Sequence, residues 1–150
     1  MSEPSTTPPA APDLTHVRTM WADDKASAAL GIEALDYGID AETGLGWSRT
    51  RMPVVETMVN GHDIMHGGYI FTFADSTFAL ACNASGTLTV ASGCDISFLT
   101  SAKLGDVLLA DARERVTYGR SGITDITVTR ESDGVVIAEF RGRSRSLPPR

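Results

Sequence analysis

Residues 60–86 read NGHDIMHGGYIFTFADSTFALACNASG, and the rest of the chain is organised around them. Residues 60–65 are polar and turn-rich. From His66-Gly67-Gly68 the chain then runs without proline, a pattern that predicts about five helical turns over residues 67–85. The first N–H groups of a helix have no partner within it, and the aligned peptide dipoles put roughly half a positive charge there, so an anion or a developing oxyanion fits that end.

Two turns further on stands the one carboxylate of this helix, Asp75. Its helical neighbours at i−4 and i+3 are Phe71 and Phe78, with Ala74, Ala79 and Cys82 nearby, so it interrupts a surface of apolar and small residues. A carboxylate is seldom buried without a partner or a task. Read singly, Asp75 is equally well an exposed residue on the polar side of a helix, and His66-Gly67-Gly68 is equally well an ordinary helix start. Together, ahead of so apolar a helix, they favour a site.

Gly67 and Asp75 are eight residues apart, so their backbones lie about 12 Å apart along the axis at about 1.5 Å per residue. A group held by the Gly67 N–H is then beyond the reach of Asp75 in the same chain. Two such helices lying antiparallel about a two-fold axis would bring each helix start to the other chain's carboxylate and create two equal sites. The small residues Thr72, Ala79 and Ala81 would permit the close approach.

A chain of 150 residues suits one domain, expected over residues 14–150. The formal net charge of −6 argues against a nucleic-acid partner, whose binding draws on clustered cations. No run of about 18 apolar residues offers a membrane span, and the first residues lack the basic and apolar regions of a signal peptide, so a cytoplasmic protein is expected. Cys82 and Cys94 lack CxxC spacing and a companion His pair, so no metal site is expected and both read as buried, reduced thiols.

Residues 1–13 hold four of the seven prolines and read as a disordered, proline-rich tail. Residues 14–30 carry Leu14, Val17, Met20 or Trp21, Ala28 and Leu30 at helical spacing, predicting one docked amphipathic helix that stops at Gly31. Residues 32–36 and 44–54 predict a hairpin. After Gly86, residues 88–100, 107–118, 123–131 and 135–147 are β-rich and separated by turn-like SAKLGD, GRSG and SDG, which implies an antiparallel meander. The fold class that follows is α+β, an antiparallel sheet wrapped around a long central helix.

In the last strand Arg141, Arg143 and Arg145 alternate, so their guanidinium groups share one face at about 6.6 Å spacing and could meet a polyphosphate. The alternative is a solvated face whose arginines pair with nearby carboxylates. Arg120 and Lys103, in loops, are further candidates. No GxxxxGK[ST], GxGxxG, HExxH or GxSxG occurs, so nucleotide hydrolysis, dinucleotide redox chemistry, zinc proteolysis and α/β-hydrolase chemistry lack their signatures.

The segments Asn60-Gly61-His62, His66-Gly67-Gly68, Ala74-Asp75 and Ala81-Cys82-Asn83, continued by Ala91-Ser92, Ile96-Ser97-Phe98-Leu99 and Phe140-Arg141-Gly142-Arg143-Ser144, resemble the PaaI family, the phenylacetic acid degradation thioesterases of the hotdog superfamily. The resemblance spans roughly residues 20–147. It implies the hotdog fold, dimers with continuous sheets that assemble as homotetramers, and hydrolysis of phenylacetyl- or hydroxyphenylacetyl-CoA type thioesters, with coenzyme A as part of the substrate and no separate cofactor. By the same resemblance Asp75 matches the catalytic carboxylate, the Gly67 N–H the donor that polarises the thioester, and Asn60 and His66 the supporting residues, while Ser76 would help to place water. Gly68, Phe71 and Phe78 would contact the acyl group, with the loop Asp63-Ile64-Met65 influencing its selection. Two other readings of the same fold are an acyl-CoA hydratase or dehydratase using His66, and a non-catalytic acyl-CoA sensor.

Overall fold

A computed structural model of the chain describes residue 4 and residues 10–148. The expected proline-rich tail falls largely outside these residues. Two short helices come first, α1 (Thr15–Ala22) and α2 (Lys25–Ala29), followed by the hairpin β1 (Glu33–Ile39) and β2 (Gly46–Pro53), then α3 (Gly67–Asn83), then β3 (Thr89–Phe98), β4 (Val107–Tyr118), β5 (Ser121–Arg130) and β6 (Val136–Ser146). The strands form one six-stranded sheet in the order β1-β2-β4-β5-β6-β3, with every pairing antiparallel. This is the hotdog architecture expected from the sequence. None of the described helices is long and apolar enough to cross a membrane.

α3 is the core of the molecule. Ten of its seventeen residues are buried, more than one amphipathic stripe supplies, because the sheet curls round it. Phe73, Ala74, Leu80 and Ala81 are wholly inaccessible, and Phe73, Ala74 and Ala81 pack with Met52, Leu108, Ala110, Ile126 and Val128 in the buried interior. Two glycines let the sheet approach: a Cβ at Gly46 would stand 1.8 Å from the Ala81 carbonyl oxygen, and one at Gly142 would stand 2.7 Å from the Phe78 ring.

Most buried polar groups on this side of α3 satisfy one another, the Thr124 hydroxyl on β5 being left without a partner among the described residues. Thr77 Oγ1 donates to the Phe73 carbonyl at 2.8 Å, which leaves Thr50 Oγ1 to donate to Thr77 Oγ1 at 2.7 Å, and Ser48 Oγ donates to the Thr77 carbonyl at 2.6 Å. At the C-terminal end Asn83 Nδ2 donates to the carbonyls of Ala79 and Thr89, while its Oδ1 accepts from the Thr89 N–H at 2.9 Å and lies 3.0 Å from His16 Nε2. That single side chain, 1% exposed, ties helix, sheet and α1 together.

Several sequence expectations change. The single helix over 14–30 is two, because Asp24 accepts from the Ser27 N–H at 2.9 Å and thereby caps a new helix where the first ends at Asp23. The four last strands are not one meander: β4, β5 and β6 follow in order, but β3 pairs with β6 at the far edge. SAKLGD is therefore a crossing rather than a hairpin turn. It buries Ala102 completely, gives the Ala102 carbonyl to the Met65 N–H at 2.7 Å and binds the end of β2 through Gly105 N–H to the Val54 carbonyl. Ala81 faces the sheet, so it does not serve a helix-to-helix approach. Cys94 is half-buried, whereas Cys82 is buried and its thiol is pushed up to about 12, first by burial.

The arginines of β6 lie on the face turned away from α3, since Phe140, Gly142 and Ser144 are the buried residues between them. Arg141 makes a two-pronged pair with Asp125 at 2.7 and 2.9 Å, and Arg143 pairs with Asp95.

Candidate active site at the start of the central helix

The loop ahead of α3 is closed by Asn60. Its side-chain Oδ1 accepts from the His62 N–H at 2.9 Å and its own N–H donates to the Ile64 carbonyl at 2.8 Å, a turn in which Asp63 takes φ +60. These bonds occupy the oxygen of Asn60, and among the described residues its amide nitrogen donates to nothing. His66 then caps α3 with its ring: Nδ1 accepts from the Gly68 N–H at 3.1 Å, which puts the proton of a neutral ring on Nε2. Gly68, expected to contact substrate, therefore has its donor committed to the cap.

Gly67 is different. Its N–H stands at the first position of the helix and makes no hydrogen bond among the described residues. The Phe98 ring of β3 packs directly upon it, so that a Cβ at Gly67 would lie 2.9 Å from Phe98 Cζ. Gly67 and Asn60 line one cleft of about 380 Å3 together with Ile64, Met65, Ile70, Phe98, Leu99, Thr100 and Ser101. The lining is apolar apart from one unpaired N–H, one amide and two hydroxyl residues. A larger hollow of about 440 Å3 lies on the outer sheet face, but its charged lining is already paired, Arg115 and Arg141 with Asp125, and Asp95 with Arg143. The smaller, apolar cleft with free donors is the better ligand site.

Asp75 lies two turns along α3 and does not line that cleft. It is half-buried, and among the described residues its carboxylate has no hydrogen-bond or ion-pair partner. Burial first, and then the charge of Asp24, hold its carboxyl above the usual carboxylate range. Gly68, Thr72, Asp75 and Ala79 recur at helical spacing and escape full burial, so they form a seam that neither the sheet nor α1 and α2 close.

The remaining expected site residues are elsewhere. Phe78 is 1% exposed beneath Gly142, with its ring 6.1 Å from that of Phe140, a core position rather than an acyl contact. Phe71 is half-buried with its ring edge-on to Phe140 at 5.2 Å. Ser76 points inward, its Oγ 2.8 Å from Ser27 Oγ. Arg120 donates to the Ser146 carbonyl at the tip of the β4–β5 hairpin. Phe98 and Leu99, which shape the cleft, are missing from any local reading of residues 60–86. Their signal was a pair of large apolar residues at the end of a strand, 54% and 56% exposed.

Known proteins are similar to this chain in sequence and fold. The thioesterase superfamily profile matches residues 62–137, which include α3 and the helix start. The acyl-coenzyme A thioesterase PaaI of Escherichia coli is 36% identical over 132 residues, covering 88% of this chain and 89% of that protein. The solved structure of the E. coli PaaI protein from the phenylacetic acid degradation operon superposes with a TM-score of 0.80 at 34% identity, over 91% of this chain and 97% of that one. A Streptococcus mutans protein solved bound to acetyl-CoA is 27% identical and superposes with a TM-score of 0.71 over 79% of this chain and 90% of its own. With its fold and its sequence in agreement, the chain belongs to the thioesterase superfamily.

Proposed function

We propose that the protein is an acyl-CoA thioesterase that hydrolyses phenylacetyl- or hydroxyphenylacetyl-CoA type thioesters to the free acid and CoA, in the degradation of aromatic compounds. The observation that carries the reading is a pair of unfinished halves. A free N–H at Gly67 and an unpartnered carboxylate at Asp75 sit on one helix, about 12 Å apart along its axis. The relatives support the chemistry: one is named an acyl-coenzyme A thioesterase and another was solved with acetyl-CoA bound.

A second copy joins the halves. β3 is a ten-residue edge strand, and Val90, Phe98 and Leu99 along and just beyond it are 42%, 54% and 56% exposed, an apolar edge that a matching strand would cover. Pairing β3 with its two-fold mate continues the sheet and brings the two α3 seams face to face. Two such dimers then form the homotetramer. In each site the thioester oxygen accepts from the Gly67 N–H, aided by the helix dipole, and the partner subunit's Asp75 activates water or attacks the carbonyl carbon directly. Asn60 offers its free amide to the same cleft, and His66 holds the helix start in shape.

Both routes need Asp75 ionised. Burial and Asp24 make it more basic, and the positive start of the partner's helix opposes them, an arrangement that keeps a base charged while leaving it reactive. His66 uses one ring nitrogen for the cap, which favours hydrolysis over a His-based hydration. Free-thiol release from a panel of aryl- and straight-chain acyl-CoA thioesters tests the reading. Release that is fastest for the arylacetyl esters supports it, while water addition without thiol, or saturable binding alone, would replace it with a hydratase or a sensor.

A further inference from the structure

α1 and α2 lie outside the curled sheet, yet α2 reaches the turn of α3 that bears Asp75. Asp24 takes the Ser27 hydroxyl at 2.6 Å on Oδ2 and the Ser27 N–H at 2.9 Å on Oδ1, and the Ser27 hydroxyl in turn lies 2.8 Å from that of Ser76. Ser27 is 2% exposed and Ser76 is 9% exposed, so the contact between the two hydroxyls is closed to water. A hydroxyl has one proton. The short contact to a carboxylate takes that of Ser27, so the Ser76 proton runs to Ser27 and the relay has a fixed direction, Ser76 to Ser27 to Asp24.

We propose that Asp24, acting through Ser27 and Ser76, is a positioning residue of the reaction centre: it fixes the turn of α3 that carries Asp75 and holds a second negative charge behind that base. This rests on the thioesterase reading above. Two consequences follow. Ser76 has no proton left to offer water or substrate, so its part is to lock the helix to α2 rather than to place the attacking water. Asp75, about 100° round the helix from Ser76, is left facing the seam.

The groups that bear on Asp75 are few. Asp24 faces it from α2, and the thiols of Cys82 on α3 and Cys94 on β3 feel its charge and are held neutral, first by burial. Asp24 makes no ion pair among the described residues, its carboxylate bonding to Ser27 alone. The like charge therefore disfavours ionisation of Asp75 and strengthens it as a base.

The test is the pH profile of kcat/KM for arylacetyl-CoA hydrolysis by the full-length protein. Activity rises on the acid side as the base ionises, so removing the charge behind it moves that limb to lower pH. Asp24→Asn and Asp24→Ser both keep a competent helix cap without the charge, which guards against simple unfolding of α2. Both are expected to shift the limb to lower pH. Ser27→Ala keeps the charge and breaks the relay, so it is expected to lower kcat several-fold with KM and the limb unmoved. An acid limb that stays in place in both Asp24 variants, while Asp75→Asn is inactive, overturns the positioning role and leaves the thioesterase reading intact. An active Asp75→Asn overturns that reading itself.

Discussion

The two sides of α3 handle polarity in opposite ways. On the sheet side Thr77, Thr50, Ser48 and Asn83 are all buried and all paired, each hydroxyl proton with a determined acceptor. Away from it, the Asp75 carboxylate on the seam and the Gly67 N–H at the helix start are partly covered and unpaired among the described residues. Unmet polarity next to a well-satisfied core is a cost that stability alone does not explain. The sheet side specifies the fold, and the unmet groups away from it are what the proposed ligand and second subunit would satisfy.

The largest effect is expected for Asp75→Asn. Turnover of arylacetyl-CoA is expected to fall by about a thousandfold or more, the scale of losing an essential base. Stability should move the other way. A carboxyl held above its unfolded value of 3.8 makes the folded state bind its proton more tightly, so the ionised form costs stability at any pH above the folded pKa. That cost disappears as pH falls below 3.8. Thermal melts should therefore show Asp75→Asn more stable than wild type at neutral pH, with the difference closing in acid. A variant less stable than wild type at pH 7 would mean that the partner's helix start outweighs burial.

On the sheet side the expected losses are of structure. Asn83→Ala removes the side-chain partner of the Thr89 N–H and carbonyl in a partly buried site, at a cost of about 3 kcal/mol by denaturant titration. Gly142→Ala drives a methyl into the Phe78 ring, which is 1% exposed and has nowhere to go, at about 2–3 kcal/mol. Gly67→Ala is the matched control on the seam side. Its Cβ also meets a ring, but Phe98 is 54% exposed and can swing aside, and alanine is the better helix former. Stability should change by less than about 1 kcal/mol, while kcat/KM falls about tenfold because the methyl crowds the oxygen-binding N–H.

The same contrast explains what could be read from sequence. α3 and the strand run were legible because their apolar periods are local properties, and Gly67 and Asp75 stood out as candidates because they share one helix, whereas Asn60 and the role of His66 entered through the family resemblance. The edge position of β3 was not legible. SAKLGD carries turn chemistry, and only the tertiary bond from Met65 to Ala102 reveals that it crosses the molecule. Phe78 was misplaced for a related reason: spacing put it beside Asp75, but its side chain leaves the helix toward Gly142. The break between α1 and α2 turns on Asp24 accepting from Ser27, a cap that a continuous apolar pattern conceals.

The smallest effect is expected on the outer face, where the β6 arginines are. Arg143 is partly exposed and its partner Asp95 is largely so, and a pair so hydrated contributes little. Arg143→Ala should change stability by less than about 0.5 kcal/mol. The row faces away from the cleft that holds Gly67, so KM for an arylacetyl-CoA ester and for a truncated arylacetyl thioester lacking the nucleotide should both stay within about twofold of wild type, well under 1 kcal/mol of binding. A KM raised for the CoA ester alone would bring the phosphates round to this face, where freeing Arg143 from Asp95 would be part of binding. Equal changes for both esters would point instead to strain passed along β6 and β3, because Arg143 pairs across to Gly93 beside the irregular step between Ala91 and Gly93.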